Sequence, residues 1–304
     1  MLWFPKDNRL PIRRLKADLT VQGDSFIGAG ETIPLYEEGD EWFGVPRMWG
    51  LRQQWLLNQH VLEDRTSLPH LEWPKFIGSY RQGQQISVEA ILNAYRNGQY
   101  GACLEAKTGT GKTVMATVIA SMLHTPTLVI VHKEDLADQW KLLLIGGVKE
   151  GKPFASLFPG GRVGHVQGDQ WDYEGCHLVT AMAQTLHSRM GREPADFYRK
   201  FGLVIFDEGH RYSARTFEAV MRLPHAKYRL AVSATWRRKD NLECVWNWHV
   251  GSVEHRTQGV HLVGHFVQVP WHTNVSDYMF KRGPNISHSN YLTAIAKNAP
   301  YNEW

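Results

Sequence analysis

Residues 101–123 read GACLEAKTGTGKTVMATVIASML, and three patterns meet in them. GACLE (101–105) is a short apolar run with the character of a buried strand. AKTGTGKT (106–113) is a loop punctuated by glycine. TVMATVIASML (113–123) places Val114, Val118, Ile119 and Met122 at helical spacing. A strand, such a loop and a helix in that order form the setting in which a glycine loop holds nucleotide phosphates. Gly109 and Gly111 let the backbone turn its N–H groups inward around phosphate oxygens, and a helix starting near Lys112 adds the positive end of its dipole. On this reading Ala106, Lys107, Thr108, Gly109, Thr110, Gly111, Lys112 and Thr113 form the nucleotide-binding loop. Lys112 reaches the β- and γ-phosphates and Thr113 offers its hydroxyl to Mg²⁺. Ala106 stands where such loops usually begin with glycine.

The same texture extends on both sides. Further short apolar runs lie at 127–132, 177–181, 203–207 and 229–234, separated by amphipathic segments. This alternation over 79–250 predicts a doubly wound α/β unit with a mainly parallel sheet. Such sheets carry their ligands outside the carboxyl ends of the strands. FDEGH (206–210) ends one of those strands and so belongs on the rim that carries the loop. Asp207 is expected to hold Mg²⁺, directly or through water, and Glu208 to orient and deprotonate an attacking water. Two adjacent carboxylates point to hydrolysis rather than transfer to a substrate hydroxyl.

Residues 1–78 differ. Short apolar stretches alternate with turn residues such as Gly28, Gly30, Gly39 and Pro46, which predicts a small β-rich or α+β unit. LRQQWLLNQHVLE (51–63) has helical spacing at Leu51, Trp55, Leu56, Gln59 and Leu62. Residues 251–304 contain the β-like run HLVGHFVQVPW and then YLTAIAKNAPYNEW, which reads as the start of a helix. His255, His261, His265 and His272 form a loose run that no acid or cysteine completes, so a structural or surface role is expected.

Composition sets outer bounds. A chain of 304 residues suggests about two domains at ~150 residues each, and 43% hydrophobic residues suffice for a sizeable core. No apolar run has the length of a membrane span and no secretory signal opens the chain. Three cysteines without a CxxC pair argue against a disulfide framework, leaving a reducing cytoplasm as the expected location. Net charge is +4, a mild excess that permits a polyanionic partner. The basic clusters are Arg13-Arg14 with Lys16, Arg237-Arg238-Lys239 and Lys281-Arg282. Most of the twelve tryptophans are expected in the core, with some available as stacking platforms.

AKTGTGKT, DEGH and SAT (233–235), in that order, resemble the superfamily 2 helicases and translocases of the DEAD/DEAH-like kind. YRQGQ (80–84) is similar to their upstream R-x-x-Q. SATWRRKD (233–240) resembles the SATPxRxD run of the branch that includes phage branch-migration helicases, repair-type DNA translocases and restriction-enzyme motor subunits. Trp236 stands in place of proline, while Arg238 and Asp240 fit. LYEEGDEWFGVPRMWG (35–50) is similar to the N-terminal region of phage and archaeal members.

The resemblance implies a RecA-like fold and an ATP hydrolase using ATP and Mg²⁺. It adds Arg81 and Gln84 to the ATP site, with Gln84 on the adenine edge, where an amide pairs bidentately with N6 and N7. His210 would link the hydrolytic centre to Ser233, Ala234 and Thr235. VHKEDLADQW (131–140) and TAMAQTL (180–186) look like the segments that grip nucleic-acid backbone. They bring His132, Lys133, Gln139, Thr180 and Gln184, and SATWRRKD brings Arg238. Duplex or branched DNA is the implied partner, ahead of RNA, and no membrane partner is expected. The implied cell is bacterial, archaeal or a phage-infected host. Superfamily 2 motors close ATP between two RecA-like domains, the second bringing arginine fingers in a Q-x-x-G-R-x-x-R run. No such run follows residue 240. The organisation expected is therefore an N-terminal accessory unit over 1–78, a candidate for DNA contact, and RecA-like domain 1 over 79–250. Residues 251–304 would be a connector and the start of a second RecA-like domain, with Tyr301 where a family arginine often stands. That second domain would be needed in cis or in trans. Two alternatives stand beside this reading: a non-catalytic module that binds ATP and nucleic acid, and the motor subunit of a restriction or nuclease complex.

Overall fold

Alternating in–out burial is the first thing the N-terminal residues show: Leu2 and Phe4 are buried while Trp3 and Pro5 are only partly covered. The computed structural model of the chain describes residues 1–23, 32–59, 65–149, 151–208, 214–236 and 242–257. These residues all lie in one unit, Met1–Gly259. It begins with β1 (Leu2–Pro5), α1 (Ile12–Asp18), β2 (Thr20–Gln22), β3 (Thr32–Pro34), β4 (Glu37–Glu38) and β5 (Trp42–Val45). Strands β1, β5 and β4 form an antiparallel sheet with Leu2 opposite Val45, and β2 pairs with β3. Leu2, Phe4, Leu15, Leu19, Phe43 and Val45 make its core. The single helix expected over 51–63 is instead α2 (Arg47–Leu51) and α3 (Gln54–Gln59). Arg52 and Gln53 donate to the carbonyls of Trp49 and Gly50, tightening the last turn, and the next turn starts on the Gln53 carbonyl. The break lets Trp49 and Leu56 enter the same core. Leu62 lies outside the described residues.

Residues 65–79 then form an extended strap along the amino-terminal ends of the larger sheet's strands. Ser67 bridges to Ala226 just ahead of one strand. The Leu71 amide donates to the His124 carbonyl, the Trp73 indole to the Thr125 carbonyl at 2.9 Å, and the Ile77 amide to the Leu157 carbonyl. The strap delivers the chain to Arg81 and to α4 (Gln84–Arg96).

The predicted alternation follows. It runs β6 (Gly101–Glu105), α5 (Lys112–Met122), β7 (Thr127–Val131), α6 (Glu134–Ile145), and a hairpin of β8 (Gly147–Lys149) and β9 (Lys152–Phe154). Then come β10 (Val163–Gln167), β11 (Gln170–Asp172), β12 (Leu178–Met182), α7 (Ala183–Ser188) and β13 (Leu203–Asp207). The last described elements are α8 (Ala214–Arg222), β14 (Tyr228–Ser233), α9 (Glu243–His249) and β15 (Val253–Arg256). The sheet order is β11-β10-β12-β7-β13-β14-β6-β15, parallel throughout except for the edge strand β11. Every residue of β7, β12 and β13 is buried, as a sheet covered on both faces requires. Within β13, Leu203 and Ile205 join the core under α4, α5 and α6, while Val204 and Phe206 join that under α7, α8 and α9. The α/β, RecA-like fold class read from the sequence is the one observed.

Burial answers two compositional expectations. Of the tryptophans among the described residues, Trp49, Trp73, Trp140 and Trp246 are buried and the others half-buried. Of the first basic cluster, Arg14 pairs with Asp18 and Lys16 with Glu38. The other two clusters lie outside the described residues, as do His261, His265, His272 and the 261–304 segment.

One buried charge group ties the N-terminal strands to the sheet. Glu218 on α8 accepts from Arg222 Nε and faces His249 Nε2 at 3.1 Å. Burial pushes His249 down to about 4, so the ring is neutral and donates its Nε2–H to the carboxylate. Arg222 also donates to the carbonyls of Tyr36 (2.9 Å) and Pro34 (2.5 Å). Arg222→Ala would strand the Glu218 charge and free two carbonyls. It is expected to cost about 3 kcal/mol of unfolding free energy, read as a drop in urea midpoint.

Candidate active site

The glycine loop begins where β6 ends. Ala106 is fully buried and its amide donates to the Ser233 carbonyl at 2.8 Å, so its methyl group sits in the core rather than against a ligand. Gly109 and Gly111 have φ of +82° and +86°, left-handed values that favour glycine. At Gly111 space matters too, since a Cβ would lie 2.3 Å from Gln84 Nε2. Lys107, Thr108 and Gly109 are exposed at the tip, while Thr110, Gly111, Lys112 and Thr113 are half-buried.

Gln84 clasps this loop. Its side-chain oxygen accepts from the Arg81 amide at 2.9 Å, and its nitrogen donates to the Thr110 carbonyl at 2.7 Å. Both ends of the amide are therefore engaged by protein, and pairing with adenine would require that side chain to turn. The Arg81 guanidinium lies 3.5 Å from the Gly109 carbonyl, at the outer limit of a hydrogen bond.

Parallel register brings the acid pair to the same rim. Asp207 lies opposite Val232 across β13 and β14, and Ser233 opposite Glu105 across β14 and β6. Glu208 leaves the strand with φ +48°, a left-handed conformation that costs a non-glycine residue of order 1–3 kcal/mol, and its amide donates to the Val232 carbonyl at 3.0 Å. Its carboxylate is ion-paired with Lys112. The Ser233 hydroxyl lies 3.5 Å from the other Glu208 oxygen and donates to the Thr235 carbonyl at 2.8 Å. Ala234 is half-buried and Thr235 exposed. Trp236, the residue in the proline position, packs edge-on against Trp246 of α9 with ring centroids 5.4 Å apart. His210 and Arg238 lie outside the described residues.

Asp207 is 5% exposed. Burial pushes its pKa up to about 6, opposed by a hydrogen bond from Trp140 Nε1 at 2.8 Å and by the positive Lys112, and assisted by the negative Glu208. Trp140 was missed by sequence reasoning: in DQW (138–140) its only signal is helical spacing, which marks core. Mg²⁺ prefers hard oxygen donors and is usually held by one or two carboxylates together with phosphate oxygens and waters. Asp207, with the Thr113 hydroxyl at the head of α5, matches that donor chemistry.

The residues implied for nucleic acid divide. Lys133 is exposed immediately before α6, and Gln184 on α7 donates to the His132 carbonyl at 3.1 Å, which joins the two segments. Gln139 is exposed on α6, about 9 Å beyond Lys133 at 1.5 Å per residue. Thr180 does not belong with them. It is fully buried in β12, and its hydroxyl is bonded to His165 Nδ1 at 2.8 Å, because every residue of that interior strand faces a covered side of the sheet.

Residues 77–238 match the family described as "Type III restriction enzyme, res subunit". The chain is 29% identical over 256 residues to "Putative ATP-dependent RNA helicase L396" of Acanthamoeba polyphaga mimivirus, across 80% of this chain and 45% of that protein. It is 28% identical over 161 residues to "DNA 3'-5' translocase XPB2" of Sulfurisphaera tokodaii, across 53% of this chain and 33% of that one. The chain thus spans less than half the length of these two curated relatives. In fold it is similar to the UvsW helicase of bacteriophage T4, with a TM-score of 0.53 at 13% identity, covering 83% of this chain and 94% of that one.

A buried carboxylate with a raised pKa works against folding at neutral pH. The folded protein keeps a proton on Asp207 up to about pH 6, whereas the unfolded chain releases it near 3.8. The group's contribution is fully present below pH 3.8 and is lost as pH rises through 6. Asp207→Asn is therefore expected to stabilise the nucleotide-free protein by about 2–3 kcal/mol at pH 7.5 and by almost nothing at pH 4, measured by urea unfolding at both values.

Proposed function

Because the chain belongs to the family of the type III restriction enzyme res subunit, and with it to the superfamily 2 helicases, we propose that it is the first RecA-like half of an ATP-driven DNA helicase or translocase. The observation that carries the reading is the shared rim. The glycine loop, Asp207, Glu208 and Ser233 meet at the carboxyl ends of three neighbouring parallel strands.

In this mechanism the amides of the loop and the head of α5 cradle the phosphates. Lys112 leaves Glu208 for the β- and γ-phosphates, because the more concentrated negative charge lies there. Glu208, released, orients the attacking water and takes its proton. Thr113 and Asp207 would hold Mg²⁺, which when bound neutralises charge on the phosphate oxygens. Ser233 and Thr235, with His210, sense the state of Glu208 and pass it to neighbouring segments. Gln84, Arg81 and the adenine meet once the Gln84 amide turns from the loop. The cation that stabilises the transferring phosphoryl group comes from a second RecA-like domain, in cis or in trans.

Nucleic acid runs across Lys133, the head of α6, Gln184 and Arg238, gripped through phosphates and so without sequence preference. Residues 1–78 serve as its accessory unit. DNA is favoured by the SATWRRKD run and by the name of the archaeal relative, and the mimiviral name makes RNA the competing substrate. The free thiols of Cys103, Cys176 and Cys244 suit work in a reducing cytoplasm.

The test is DNA-stimulated ATP turnover in a version of the chain extended through a second RecA-like domain. Glu208→Gln is expected to lower turnover by about 10²–10⁴-fold with ADP affinity kept within about twofold. Lys112→Ala should weaken ATP binding by about 10–100-fold. Turnover unaffected by either change sinks the mechanism. Duplex, forked and single-stranded DNA, and matching RNA, titrated across a salt series, rank the substrates.

A further inference from the structure

Among the described residues, Trp140 joins the interior of the fold directly to the acid pair. It is fully buried, lies in the second turn of α6 and packs in the core beneath α4, α5 and α6. Its Nε1–H donates to Asp207 Oδ2 at 2.8 Å. Among the described residues no other side chain is hydrogen-bonded to that carboxylate. The neighbouring strands explain the meeting: β7 and β13 are paired with Ile130 opposite Phe206, so the carboxyl end of β7, from which α6 departs to pack over β7, β12 and β10, lies beside Asp207. A carboxylate rotates easily about its terminal torsion, since that torsion is broad and roughly two-fold. The N–H of a ring locked in the core restricts that freedom and, beside the Glu208 backbone amide, engages one of the two oxygens from within the fold.

We propose that Trp140 is a positioning residue for the metal-holding carboxylate, pinning Asp207 Oδ2 so that Oδ1 is presented to Mg²⁺ at the phosphate rim. The proposal rests on the reading of Asp207 as the Mg²⁺ holder. Its consequence is specific: the indole N–H contributes to affinity for nucleotide with metal and contributes nothing to affinity for nucleotide without it. A merely structural tryptophan, using Asp207 to satisfy a buried N–H, would affect both alike.

The experiment is calorimetric titration of the whole chain with ADP, once in Mg²⁺ and once in EDTA, and the quantity read is the ratio of the two affinities. In Trp140→Phe the ratio is expected to fall by about 10–100-fold, the usual loss when a partner of a metal ligand is removed, with the EDTA affinity within about twofold. The isostere benzothienylalanine at position 140 keeps the ring and replaces only the N–H, and should reproduce the loss without disturbing packing. An unchanged ratio, or an equal fall with and without metal, in the isosteric variant overturns the proposal. Asp207→Ala separates the two levels. If it abolishes the ratio while the isostere does not, Asp207 holds the metal and Trp140 does not position it. If Asp207→Ala keeps the ratio, the reading of Asp207 falls and the role of Trp140 falls with it.

Discussion

The in-register parallel pairing of β13 with β14, and of β14 with β6, is the constraint on which the rest depends. It places Asp207, Ser233 and the start of the glycine loop at one height, although 127 positions of sequence separate Ala106 from Ser233. A shift of one residue in either pair would exchange the faces of a whole strand and send its core residues to the wrong helices. Complete burial of β13 on both faces makes such a slip expensive. The rim is therefore a by-product of hydrophobic packing in the strands below it.

That same packing sets the electrostatics. A carboxylate at the end of a covered strand loses water, which is why burial dominates the raised pKa of Asp207. Lys112 and Glu208, both largely covered, pair with each other. The rim thus holds Lys112 and Glu208 in one contact, with Glu208 in a left-handed backbone conformation. Local strain and a charge pair are tolerated there because the strands on either side leave the chain little choice.

Elsewhere the fold uses buried polar groups as ties. The strap at 65–79 satisfies backbone groups at the amino-terminal ends of several strands, and so keeps the N-terminal elements and the sheet in one unit. Arg229, which opens as an ordinary strand residue, is 1% exposed, and its guanidinium donates to the carbonyls of Met221 and Pro224 at 2.8 and 2.7 Å. Burial, then the nearby Arg47, pushes it down to about 9. The strap's contacts join elements far apart in sequence and carry no local pattern.

GACLE, LVIFD and the positions of Gly109 and Gly111 were legible because strand period, loop chemistry and helix spacing are local properties, decided within a few residues. The carboxyl-rim placement of Asp207 and Glu208 followed from them by the topology that parallel sheets allow. The break between α2 and α3 was not legible, since a helix period runs through Leu51, Trp55 and Leu56, and only a shared core for Trp49 and Leu56 selects the turn at Arg52 and Gln53. Thr180 looked like a polar residue free to meet phosphate, and burial on both sides of β12 removed it. Gln84 and Trp140 mark the same boundary from the other side. Sequence alone determined which strands, loop and acids this protein has; tertiary structure decided that one side chain grips the loop and another the carboxylate. Those are long-range hydrogen bonds, made only after packing has excluded the water that would otherwise satisfy them.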